Sequence, residues 1–150
     1  MKSLNSFLIL FGMLAITAFG CAKKDNLSVT SDTDSTLMKS KWVLTGYQDT
    51  KTNQITTYPE SIPQAFITFD SLVIVSGTCN VGRSNYIIKD EGISIYNLQM
   101  TRQYCLSFQQ WEDNLVDNLN SAFQYKIANS TNLEIYSHGS YNLLFVASSK

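Results

Sequence analysis

Three cysteines, one histidine and two adjacent acidic pairs are the residues of this chain whose chemistry goes beyond packing. Cys79 and Cys105 lie far outside the Cys-x-x-Cys spacing of a redox catalyst, and as an even pair outside the cytoplasm they read as a structural disulfide. Closing that loop stabilises the fold by about 3 kcal/mol in the chain-entropy picture. His138, in Ser137-His138-Gly139-Ser140, reads as a solvated turn residue rather than a catalytic base. A single histidine also falls short of the three or four protein ligands of a zinc centre, so neither metal nor cofactor is expected. Asp90-Glu91 and Glu112-Asp113 are neighbours whose side chains diverge, so they do not form the facing carboxylates of a glycosidase. Solvated roles are expected instead, in a turn for the first pair and at a helix N-terminus for the second. Arg83 and Arg102 flank the cysteine turns and read as surface charges, with an anion or a carboxylate as the alternative partner.

Cys21 has a different reading. Lys2, the apolar run Phe7 to Ala18 and the exit Ala18-Phe19-Gly20-Cys21 have the layout of a secretory leader. The run is short of the roughly 17 to 25 apolar residues that span a bilayer. The exit resembles a bacterial lipobox, which implies cleavage after residue 20 and acylation of Cys21 with palmitate-type chains. Two or more such chains give stable membrane attachment. Ala18 and Phe19 depart from the usual Leu and small residue, so plain secretion with a free Cys21 thiol is the alternative. Ala22, not aspartate, resembles the rule that sends lipoproteins to an outer membrane, on either its periplasmic or its outward face.

Residues 1–20 are thus read as signal peptide, 21–37 as the lipidated cysteine and a polar tether, and 38–150 as one domain. With 11 Lys plus Arg against 12 Asp plus Glu, a net charge of −1, the chain lacks the basic face of a nucleic-acid binder.

From Lys41 onward the pattern is of short β-rich runs between turn residues. Eight are expected, at 41–47, 65–69, 72–77, 85–89, 92–98, 124–128, 132–136 and 142–147, the last buried on both faces. One amphipathic helix interrupts them at 107–122, with Phe108, Trp111, Leu115, Val116, Leu119 and Ala122 on one face. Ser107 and Gln110 form its capping box, and Leu106 staples onto Trp111. The fold class is mainly β (α+β): a curved antiparallel meander or open barrel, with the helix between strands five and six, packed over the sheet or plugging one mouth.

Several of these residues recur in an order that resembles the META domain family, HslJ-like in type. Trp42 and Leu44 form a Trp-x-Leu strand, and Ser76-Gly77-Thr78-Cys79-Asn80 leads to Tyr86. Thr101-Arg102-Gln103-Tyr104-Cys105 follows, and then a helix with Glu112, Leu115 and Leu119. Thr78 and Ser84 stand where the family commonly has Gly, so Gly82 is expected to absorb the turn. The resemblance implies a small curved sheet with one helix and a noncatalytic, envelope or stress-associated role.

The expected function is therefore binding, not catalysis, with a membrane held through Cys21 and an envelope protein or component as partner. The alternatives are a carrier of a small apolar ligand, its aromatics lining a barrel mouth, and an inhibitor of secreted proteases. If Cys79 and Cys105 are bridged, alkylation of the denatured, unreduced mature protein finds no free thiol at either position; two alkylatable thiols contradict the bridge.

Overall fold

The computed structural model describes residues 32–149, so the leader and Cys21 lie outside the described residues. The strands are β1 (Lys41–Asp49), β2 (Ile55–Thr57), β3 (Phe66–Phe69), β4 (Val73–Ser76), β5 (Val81–Lys89), β6 (Gly92–Met100), β7 (Ala122–Ala128), β8 (Asn132–Ser137) and β9 (Tyr141–Ser148). Two helices join them, α1 (Asp32–Lys39) and α2 (Gln109–Asn120), the latter preceded by a 3-10 turn at Leu106–Phe108. Neighbouring strands pair antiparallel from β3 through to β9. β1 then pairs with β9 from Lys41↔Ser148 to Asp49↔Tyr141, which closes an eight-stranded barrel. On its other side β1 pairs with β3 over its first half and with β2 over its second.

The interior is solid. Trp42, Leu44, Tyr47, Ile67, Phe69, Val73, Val75, Ile93, Ile95, Tyr125, Leu133, Ile135, Leu143 and Phe145 form one buried cluster. Most follow the two-residue period of a strand with one face inward. β1 breaks it: a register irregularity between Leu44 and Gly46 inserts one residue, so Trp42, Leu44 and Tyr47 all point inward. In β9 the inward residues are Leu143 and Phe145, while Leu144 and Val146 are only half-buried, so that strand is not covered on both faces as expected.

The mainly β, antiparallel architecture with one helix among the strands follows the pattern read from the sequence, and the barrel is closed rather than open. The helix lies between the sixth and seventh strands, not the fifth and sixth, because the structure adds β2, whose three residues are all exposed and carry no buried face to mark them in the sequence. The polar tether expected over 21–37 is cut short: α1 occupies 32–39 and Leu37 is fully buried, its carbonyl accepting a 2.9 Å hydrogen bond from Trp42 Nε1.

The two helices sit at opposite ends of the barrel. α1 enters β1 at its first residue, whereas α2 meets the ends of β1, β6 and β8 and the start of β9. The β6–β7 seam, where α2 is inserted in the chain, has one register pair, Gly92↔Gln124. Tyr47 of β1 ties the helix to the barrel: its hydroxyl donates to the Trp111 carbonyl at 2.7 Å and its ring stacks on the Trp111 ring at 5.0 Å.

Burial, with smaller contributions from nearby Tyr58 and Glu112, pushes the Tyr47 phenol well above its ordinary value. Burial likewise pushes Tyr58 up to about 12, although the Ala65 backbone opposes it. The unfolded chain loses these protons first, near the ordinary value of 10.0. The stability the two phenols contribute is therefore whole below that pH and is lost as pH rises through the folded values. Tyrosinate absorbance followed with circular dichroism is expected to show phenols that stay protonated well above pH 10 while the fold is intact, with stability falling as they ionise; ionisation of every tyrosine near pH 10 with the fold intact contradicts this.

Candidate functional site at the α2 end of the barrel

Glu112 is the unusual residue of this end. It lies in the first turn of α2, where negative charge suits the helix dipole, yet it is only 4% exposed. Its Oε2 accepts from the Thr78 amide at 2.6 Å, the Thr78 hydroxyl at 2.8 Å and the Cys79 amide at 3.3 Å. Its Oε1 is buried with no hydrogen-bond partner. The solvated role expected for Glu112 is thus overturned: the carboxylate is turned inward and holds the loop between β4 and β5.

That loop needs glycine for room. A Cβ on Gly77 would stand 2.6 Å from Glu112 Cδ and 2.7 Å from Oε1, and would also overlap Oε2. No glycine among the described residues has positive φ, so close approach, not backbone freedom, is what Gly77 supplies. Gly82 does not absorb the turn as expected; it lies within β5, and Thr78 serves the loop by giving Glu112 a hydroxyl as well as an amide.

Asn80 fastens the other side. Its Oδ1 accepts from the Thr101 hydroxyl at 2.8 Å and the Gln103 amide at 2.7 Å, and its Nδ2 donates to the Gln103 carbonyl at 2.9 Å. The Cys79–Cys105 disulfide joins the same two segments, with Cα atoms 6.0 Å apart. Asn80 Nδ2 reaches both sulfurs, at 3.4 Å from Cys79 and 3.5 Å from Cys105.

Beyond this bridge the chain turns a strained corner. Leu106 has φ 38, a conformation a branched side chain rarely adopts. Cys105 is 3% exposed, while Tyr104 and Leu106 on either side are each 76% exposed. The staple expected between Leu106 and Trp111 is therefore absent. The capping box is absent too: Phe108 occupies the N-cap without a side-chain bond, and Gln109 Oε1 instead accepts from the Cys105 amide at 3.0 Å. Because the 3-10 turn takes up Ser107, α2 starts two residues late. An open cleft of about 390 Å³ lies beside the corner, lined by Asn80, Arg102, Tyr104, Glu112, Asp113 and Asp117 among others.

The structure thus gathers Gly77, Cys79, Asn80, Thr101, Cys105 and Glu112 into one junction. Trp42 and Tyr86 lie apart from it. Trp42 is core, and Tyr86 packs edge-on against Phe69 with its hydroxyl on the Asp70 carbonyl at 2.6 Å. Arg83 and Arg102 are exposed, Arg102 along the cleft. His138 is exposed and stacks on Phe123 with ring centroids 4.3 Å apart.

The profile of the META domain matches residues 35–150. The chain belongs to the META domain family. The META domain here resembles an NMR structure of a protein from Burkholderia xenovorans, with TM-score 0.64 and 17% identity over 85% of this chain and 98% of that one. It also resembles the crystal structure of a DUF4847 family protein from Bacteroides vulgatus, with TM-score 0.56 and 14% identity over 79% of this chain and 99% of that one. At such identities the likeness is one of fold. No curated protein matches the chain.

One polar residue of the META domain went unread in the sequence. Asn118, 2% exposed, accepts from the Ser137 hydroxyl at 2.8 Å and the Tyr141 amide at 3.0 Å, which locks the end of α2 to the β8–β9 turn. Its signal is a polar residue beside Leu115 and Leu119 on the buried helical face.

Loss of the Glu112 carboxylate leaves the Thr78 and Cys79 amides unpaired, so Glu112→Ala is expected to cost about 2–4 kcal/mol of unfolding free energy in urea titrations. Gly77→Ala destabilises as well. Because the atoms nearest a Cβ at residue 77 all belong to Glu112, the double variant is less destabilised than the sum of the two; strict additivity contradicts the packing described.

Proposed function

We propose that this META domain is a noncatalytic binding module of the cell envelope, held to a membrane by acyl chains on Cys21, and that it meets a protein partner through the Tyr104–Leu106 corner. The observation that carries the reading is that corner itself: two large apolar side chains stand out in solvent while the residue between them is buried and cross-linked. A strained, exposed apolar corner costs stability to keep, and such strain clusters at binding sites. The rigid support beneath it lowers the entropy lost when a partner docks. The lipid anchor and the outer-membrane destination rest on the Cys21 exit sequence and on Ala22.

A carrier of small apolar ligands draws less support. The barrel interior is filled by Trp42, Tyr47, Phe69 and Tyr125, each 2% exposed or less, and the clefts found, of about 160 to 430 Å³, are open at the surface. A secreted-protease inhibitor would present the same rigid corner to one class of partner. No nucleic-acid role is proposed.

Two measurements test the proposal. Metabolic labelling with an alkyne palmitate is expected to mark the protein and to fail with Cys21→Ser; an unlabelled native chain that retains Met1 contradicts the anchor. Photo-crosslinking from residue 104 in intact cells is expected to capture a discrete envelope protein, and Leu106→Asp to abolish the capture without lowering Tm. Identical crosslinks from residue 104 and from exposed Asn53, in the β1–β2 turn, contradict a specific site at the corner.

A further inference from the structure

We infer that reduction of the Cys79–Cys105 bridge converts the Glu112 junction into a site for a thiophilic divalent cation of the zinc type, held by two thiolates and the buried carboxylate. Three facts of geometry converge on it. Ligand atoms of Cys79, Cys105 and Glu112 all lie within 4.8 Å of one another. Tetrahedral coordination, with Zn–S near 2.3 Å and Zn–O near 2.0–2.2 Å, places ligand atoms roughly 3.5–4 Å apart, which small side-chain rotations achieve from here. Glu112 brings an oxygen, Oε1, that is buried and meets no donor. The donors that its other oxygen meets are uncharged, so nothing bonded to it neutralises the carboxylate.

The bridge and the cation are alternatives for the same two sulfurs. A dithiol that attacks half-buried Cys79 gives up two electrons and two protons: its S–H groups become a disulfide, and Cys79 and Cys105 become thiols. Cation binding then releases both thiol protons to water. Without a cation, two thiolates and a carboxylate so close together in a mostly buried place would repel one another; a divalent ion turns that repulsion into attraction. Two sulfurs and one oxygen suit zinc better than magnesium or calcium, which favour oxygen alone. The Asn80 amide, already on both sulfurs, supplies the outer-shell donor that steadies thiolate ligands. Asn80 and Glu112 both line the open cleft, so water can complete the fourth position.

The full chain carrying Cys21→Ser tests this with cobalt(II) as the probe. It is first reduced with a phosphine, which takes up oxygen from water as it becomes the phosphine oxide, and is then freed of reductant under nitrogen. The reduced protein is expected to bind one cobalt per chain with thiolate-to-metal absorption and intense tetrahedral bands, displaced by zinc, while the oxidised protein binds none. Glu112→Gln, with both thiols intact, is expected to weaken binding by at least about tenfold, the lower end of the effect of losing an outer-shell partner. Should reduction or the substitution loosen the fold, zinc added to the reduced unsubstituted chain restores its circular dichroism. A reduced chain with two titratable thiols that takes up no cobalt and gains no structure from zinc overturns the inference, as does undiminished affinity in Glu112→Gln.

Discussion

The carboxylate of Glu112 turned in against the Thr78 and Cys79 amides is the contact on which this end of the molecule depends. It comes from a helix and is received by a loop between two strands, so it fixes how α2 sits on the barrel and how the cysteine loop is shaped at the same time. Burial makes the arrangement demanding. A carboxylate removed from water must find donors nearby, and a glycine must leave space for it. Gly77, Thr78 and Glu112 are one structural unit spread over two elements far apart in sequence.

Around that unit the other fasteners have complementary roles. The disulfide ties the cysteine loop to the 101–105 segment, and Asn80 ties the same two segments with three hydrogen bonds. Tyr47 and Asn118 hold the two ends of α2 to β1 and to the β8–β9 turn. α2, which joins β6 to β7 in the chain, is thereby anchored near both its ends, while β6 and β7 themselves share a single register pair. What remains free in this tightly held region is the Tyr104–Leu106 corner, exposed because its neighbour Cys105 is not.

Much of the fold was legible because strands with one inward face leave a two-residue period, as Ile93 with Ile95 and Leu133 with Ile135 do. β2 left none, being exposed throughout, and the bulge in β1 shifted the period in midstrand. The helix was legible from Trp111, Leu115 and Leu119, but its start was misplaced because Ser107 and Gln110 offered a capping pattern that the 3-10 turn after Cys105 displaced. The site was half-legible. The resemblance to the META family brought Gly77, Asn80, Thr101 and Glu112 together on a page of sequence, yet the direction of Glu112 was not readable, since an acidic residue in a first helical turn ordinarily faces water. Asn118 passed unnoticed for the same reason: polarity alone does not say which side chains the tertiary fold will enclose.

Amide hydrogen exchange at Thr78 and Cys79, followed residue by residue in the oxidised protein by NMR, tests the central contact most directly. Both amides belong to a loop, and both are expected to exchange as slowly as the amides of the β4–β5 ladder, because the buried carboxylate holds them. Exchange at the rate of an open surface loop would contradict the account.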